Sequence, residues 1–307
     1  MICLAGGSWS YDLSAKHLAE FCGLKVSDNK IRDVCQSRGA KMAKWQRETS
    51  EPREAFEKAK GEQEFTTDGT CVNTWDGWRE MRIGIFSKRP MGQPATPEEW
   101  ADRQLPSTTV RVAFAAIEKS DRFGSRWGKW AGRLGIRDTS QLSVLADGAR
   151  WIWEESSMHF AGARETLDIY HALEHIGDAA KALYPNDTDA AEQWLATCRE
   201  AILSEGYPGI AREIVKTRQT ATKVSQKKSL NELATYLGNN ASRLGYAQRL
   251  AEGRAIGSGQ VEGACKHMIG KRLKQTGARW RVRRVNRMAS LCSLIYSNQW
   301  DSYWNAY

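Results

Sequence analysis

Leu142-Ser143-Val144-Leu145-Ala146-Asp147-Gly148 is the stretch on which the fold turns. Four of its first five residues are apolar and follow one another without alternation, the pattern of a strand covered on both faces. It ends on a carboxylate followed by glycine. Before it the period is two: residues 63–72 form a first strand, Asp76-Gly77 signals a hairpin, and Met81, Ile83 and Ile85 alternate in a second strand. Val110, Val112 and Phe114 make a third, after a Pro-rich excursion (Pro90, Pro94, Pro97, Pro106) with one short helical piece from Glu98 to Gln104. After it come a helix at 150–158 and a fifth strand, Glu165 to Ile169. Residues 118–134 form a helix with Trp127, Trp130 and Leu134 on one stripe.

The order is therefore β-β-β-α-β-α-β, which resembles the ribonuclease H-like fold. Within it stand two strand-borne acids. Asp68 lies in Glu64-Phe65-Thr66-Thr67-Asp68-Gly69-Thr70, and Asp147 closes the fourth strand. A strand-end Asp-Gly pair also reads as an ordinary turn, so neither acid decides its role alone. A third, Glu262, follows the Gly/Ser entry Gly257-Ser258-Gly259-Gln260-Val261 into a helix. Ser258 reads as its N-cap. Val261, Ala264, Cys265, Met268, Ile269 and Leu273 form the buried stripe of this helix, with Glu262 and Lys266 flanking it four residues apart. Two aspartates on strands and a glutamate on a later helix supply the hard oxygen ligands that magnesium requires. Two such ions about 4 Å apart activate an attacking oxygen and stabilise a leaving one.

Four segments organise the chain. Residues 1–61 form an N-terminal helical region: Ala15, Leu18, Ala19 and Cys22 face inward, Gly23 ends the helix, and Ser27 caps a second helix carrying Ile31, Val34 and Cys35. This is a helix-turn-helix pattern, whose second helix suits a major groove; tight helical hairpins share it. A charged helical linker follows over 41–60, interrupted by Pro52. Residues 62–171 hold the first part of the α/β core. Residues 172–256 read as an all-α insertion (172–184, 188–204, 208–220, 228–238). Residues 257–307 complete the core with the glutamate helix, a basic helix at 282–297, and an aromatic tail of Trp300, Tyr303, Trp304 and Tyr307.

Charge is concentrated. Residues 243–296 carry twelve Lys/Arg against Glu252 and Glu262, a net of +10 in a chain of net charge +9. A polyanion running past Glu262 accounts for such a stripe, with Lys266, Lys271, Arg272, Lys274, Arg279, Arg281, Arg283 and Arg284 as phosphate contacts. Seven scattered cysteines include no Cys-x-x-Cys pair, which argues against a disulfide framework or zinc knuckle and for a reducing compartment. No run of about 18 apolar residues suggests a membrane span, and the start lacks the basic and apolar regions of a signal peptide. The expectation is a cytoplasmic, nucleoid-associated protein.

Three blocks resemble the DDE transposases of bacterial insertion sequences, in the mutator-like group. They are Asp68-Gly69-Thr70 with Trp78-Arg79-Glu80-Met81-Arg82; Asp147-Gly148-Ala149-Arg150-Trp151-Ile152-Trp153 with Asp168-Ile169-Tyr170-His171; and Gly257 to Lys266 with the Arg-rich segment around Trp280. The Asp-x-x-His at 168–171 resembles a signature of that group. The resemblance covers roughly residues 62–304 and implies cleavage at element ends and joining of the freed 3′-hydroxyl to target DNA. It implies Asp68, Asp147 and Glu262 as ligands of two Mg²⁺ ions (Mn²⁺ substituting), His171 as an active-site group, and double-stranded DNA as partner, with homo-oligomerisation on DNA.

Two other readings compete. His171-Ala172-Leu173-Glu174-His175 matches His-x-x-Glu-His, a zinc-peptidase motif needing a later ligand such as Glu192, Glu200 or Glu205. A transposase-derived DNA-binding protein without cleavage activity is the other; such proteins often lose a catalytic acid, and this chain retains all three.

Overall fold

The computed structural model describes residues 1–306. Four helices come first: α1 (Ile2–Ser8), α2 (Tyr11–Cys22), α3 (Asp28–Glu48) and α4 (Glu51–Lys58). Gly23 closes α2 in the left-handed conformation at φ 65°, and the Ser27 hydroxyl accepts from the Lys30 amide to open α3. The helical linker is interrupted at residues 49–50, just before Pro52, as expected. Pro52 itself sits in the first turn of α4, where a missing amide hydrogen costs nothing, and so begins a helix.

Three strands follow, β1 (Glu62–Thr74), β2 (Gly77–Arg89) and β3 (Val110–Ala116), then α5 (Ser120–Arg133), β4 (Leu142–Ala146), α6 (Arg150–His159) and β5 (Arg164–Leu167). The sheet is mixed, in the order β3-β2-β1-β4-β5. β1 pairs antiparallel with β2 and parallel with β4, and β4 pairs parallel with β5. The helical piece expected from Glu98 to Gln104 is only a run of turns over 97–102, held by bonds three residues apart between prolines. The fifth strand ends two residues early, because Asp168 caps the next helix.

That helix is α7 (Ile169–Leu183), followed by α8 (Thr188–Glu205), α9 (Tyr207–Thr220), α10 (Val224–Asn239) and α11 (Tyr246–Ala251). The glutamate helix runs as α12 (Gly259–Ala264), a π-helical turn over Cys265–Gly270, and α13 (Lys271–Leu273). Two helices, α14 (Val282–Tyr296) and α15 (Trp300–Asn305), end the described chain. Tyr307 of the aromatic tail lies outside the described residues.

Strand alternation sends side chains to two cores, one on each face of the sheet. Phe65, Phe86, Phe114 and Val144 pack with Trp127, Phe160 and the helices α7 to α11. Val72, Met81, Ile83, Ile85 and Ala113 pack with the glutamate helix, α14 and the N-terminal helices through Ile31, Cys35 and Met42. Helices from 1–61 are thus part of this second core, as those of 172–256 are of the first. Gly39 shows how closely α3 meets α14: a Cβ there would lie 2.3 Å from the Arg287 carbonyl oxygen. Among the described residues no helix is long and apolar enough to cross a membrane.

Candidate active site

Register brings the acids together. Thr67 of β1 pairs with Ala146 of β4, and Ala146 pairs with Leu167 of β5. The next residue on each chain is an aspartate: Asp68, Asp147, Asp168. Three carboxylates therefore stand in a row across adjacent parallel strands, at the carboxyl ends of β4 and β5, where open α/β sheets bind ligands.

Each has a different environment. Asp147 turns back on its own loop, its Oδ1 accepting from the Ala149 amide at 2.8 Å. Asp68 accepts from the Gly69 amide at 2.6 Å and meets the Cys265 thiol at 3.7 Å. Burial raises the Asp68 carboxyl above the usual range, and the negative charge of Asp147 adds to the effect. Asp168 is almost wholly buried and fully engaged: it accepts from the Tyr170 amide at 2.7 Å, the Ser258 amide at 2.9 Å and the Ser258 hydroxyl. Burial opposes its charge, but His171, Ser258 and Tyr170 outweigh it and hold this carboxyl below its ordinary value.

His171, in the first turn of α7, places Nδ1 3.6 Å from Asp168 Oδ2. That neighbour, with further help from Asp147 and Asp68, raises the imidazole to about 9 despite partial burial. His175, one turn on, does something else: its ring stacks on Tyr236 of α10 at 3.7 Å. Tyr236 in turn lies so close over the Asp147 turn that a Cβ on Gly148 would come within 2.3 Å of its ring.

Glu262 stands apart from the aspartates. It is exposed, and its carboxylate is paired with Lys266 at 2.6 Å, one helical turn on, rather than turned towards the aspartates. Three residues on, Cys265 touches Asp68 from the start of the π turn. Among the described residues no three His, Cys, Asp or Glu side chains gather as a metal cluster. Ser258 stands at the N-cap position as expected, but its hydroxyl makes no capping bond and is committed to Asp168 instead.

The basic residues divide. Lys266, Lys271, Lys274, Arg279, Arg281, Arg283 and Arg284 are exposed. Arg272 is a correction: it is buried, donates to the Gly6 carbonyl at 2.6 Å and lies over the rings of Tyr11 and Trp280. It falls on the inner side of α13, so it holds α1 and α2 to the glutamate helix rather than facing a duplex. Asp168, Ser258, Cys265 and Tyr236 join the site although the sequence reading gave none of them a catalytic, metal-binding or DNA-binding role. Of these, Asp168 alone carried a signal for the site itself, its spacing to His171.

No family model matches the chain, and no curated protein matches it.

Proposed function

We propose that this chain is a DDE-type DNA transposase on a ribonuclease H-like core, cutting DNA strands and joining the freed 3′-hydroxyl to target DNA. The observation that carries the reading is the register that sets Asp68 beside Asp147 on adjacent parallel strands, within the sheet order β3-β2-β1-β4-β5. Two carboxylates so placed repel one another: the Asp68 carboxyl is raised first by burial, and the charge of Asp147 adds to the rise. Such a pair fits a divalent cation.

Asp68 and Asp147 would hold the ions, with Glu262 completing the set. When bound, the ions supply charge neutralisation at the phosphate and a more acidic attacking hydroxyl or water. Glu262 reaches this site by leaving Lys266, and an exposed i,i+4 pair is worth only ~0.3–0.5 kcal/mol. The π turn beside it is a common device at functional sites. Lys266, once released, can take a DNA phosphate. His171, cationic at neutral pH, adds a positive charge next to the aspartates and can donate to a phosphoryl oxygen. The exposed Lys271, Lys274, Arg279, Arg281, Arg283 and Arg284 extend that positive surface along the same segment. Nothing comparable supports the zinc-peptidase reading, since His171 faces Asp168 while His175 is stacked on Tyr236.

Sequencing the DNA on either side of the gene supplies the substrate for the test, since this reading expects inverted repeats there. Incubated with DNA ending in those repeats, the purified protein is expected to nick the ends and form joined products with Mg²⁺ or Mn²⁺, and not with EDTA. Peptide hydrolysis together with one tightly held zinc per chain would instead favour the His171/His175 reading.

A further inference from the structure

Far along β1 from Asp68, the chain builds a second site. The segment after the glutamate helix zips onto the end of β1: the Trp75 amide donates to the Trp280 carbonyl at 2.9 Å, and the Trp280 amide to the Asn73 carbonyl at 3.1 Å. Thr74 is six residues past Asp68, about 20 Å at the rise of a strand. Between this seam, α2 and α3 lies a cavity of about 350 Å³. Its walls include Arg32, Arg272, Arg279, Arg281 and Arg284, and no acidic residue.

Three features mark a ligand rather than a solvated basic surface. First, Arg272 is buried and lines the cavity, yet its Nη2 has no hydrogen-bond partner. A buried guanidinium nitrogen left unpaired costs stability unless something accepts from it. Second, among the described residues Arg272, Arg279, Arg281 and Arg284 form no ion pair, and α14 starts at this wall with no side-chain cap, its positive end unfilled. Third, Trp75 lines the same space with its ring exposed and the Arg281 guanidinium 4.6 Å from its centroid. A bare phosphate would leave most of the volume empty, whereas the size falls within the range of about 300–1,000 Å³ typical of small-ligand sites.

We propose that this cavity binds a 5′-phosphorylated nucleotide, its phosphate on Arg272, Arg279 and Arg284 and its base against Trp75. Arginine suits this role because its fork pairs bidentately with phosphate, and an exposed tryptophan accepts any base by stacking. The nucleotide has two possible sources, the 5′ end of a DNA strand or a free nucleoside monophosphate. The inference goes beyond the transposase reading and does not rest on it.

Binding is measured with the full-length Asp68→Asn protein in EDTA, so that cleavage plays no part. The probes are a short single-stranded oligonucleotide with a 5′-phosphate, the same strand with a 5′-hydroxyl, dTMP and thymidine. The 5′-phosphorylated strand should bind about tenfold or more tightly than its hydroxyl counterpart, the effect expected of one charge-assisted contact. It should also quench tryptophan fluorescence. Competition by dTMP and not by thymidine would identify the free nucleotide as sufficient; preference for the strand without competition would assign the site to DNA ends. Arg279→Ala with Arg284→Ala should erase the phosphate preference, and Trp75→Ala should erase the quench, while Lys228→Ala on α10 alters neither. Equal binding of the two strands, or a preference that survives in the Arg279/Arg284 variant, would overturn the proposal.

Discussion

Single side chains carry the clearest electrostatic signature at His171. Its raised value of about 9 comes from Asp168 first, then Asp147 and Asp68. In the metal-free protein its NMR titration should have a midpoint near 9, and Asp168→Asn should bring it down towards the ordinary value. Because the folded value is raised, this contribution to stability is fully present below about 6.5 and is lost as pH rises through about 9. Adding Mg²⁺ should lower the midpoint if the ion neutralises Asp68 and Asp147; a midpoint indifferent to Mg²⁺ would place the ion elsewhere. Gly148 offers a steric counterpart. Its Cβ contact with Tyr236 predicts that Gly148→Ala destabilises by about 1–3 kcal/mol in urea unfolding, and that Tyr236→Ala in the same chain restores part of the loss. Full additivity would mean that the two do not touch.

At the scale of elements, what the sequence revealed depended on how local the cause was. The apolar run Leu142–Ala146, the Asp76-Gly77 turn and the helical stripe Val261–Leu273 are local patterns, and each appears where its pattern predicts. Local chemistry with two outcomes was legible only in part: Pro52 marks the break between α3 and α4 as expected, whereas Ser258 takes the N-cap position but turns its hydroxyl to a distant carboxylate. Contacts between residues far apart in sequence were illegible, among them Tyr236 over Gly148 and Cys265 beside Asp68. The basic stripe shows both sides. Its charge density was plain, yet nothing local showed that Arg272 turns inward while Arg283 and Arg284 face solvent. Replacing Arg281, Arg283 and Arg284 with Ala should make the slope of log K against log salt shallower by about two to three units on duplex DNA. An unchanged slope would assign this face to something other than DNA.

The whole molecule is organised around one sheet with a core on each face, and that has consequences for its parts. Residues 1–61 supply Ile31, Cys35, Met42 and Trp45 to the core that also holds Val72, Ile83 and Val261. Removing them would expose one face of the sheet, so a chain starting at residue 62 should aggregate or lose cooperative unfolding, whereas an autonomous N-terminal module would leave the rest folded. The same architecture puts Asp68 and the glutamate helix on one face and the Tyr236 helix over the other end of the aspartate row. On the transposase reading proposed above, the sheet holds Asp68 and Asp147 in register, and Glu262 has to leave Lys266 to join them. The most direct measurement is cleavage of inverted-repeat DNA in Mg²⁺ by Asp68→Asn, Asp147→Asn and Glu262→Gln proteins whose folding and DNA binding are intact. Each should lose activity by orders of magnitude, because neutralising and positioning charge is most of phosphoryl-transfer catalysis; a Glu262→Gln protein that cuts at near the wild-type rate would contradict the account.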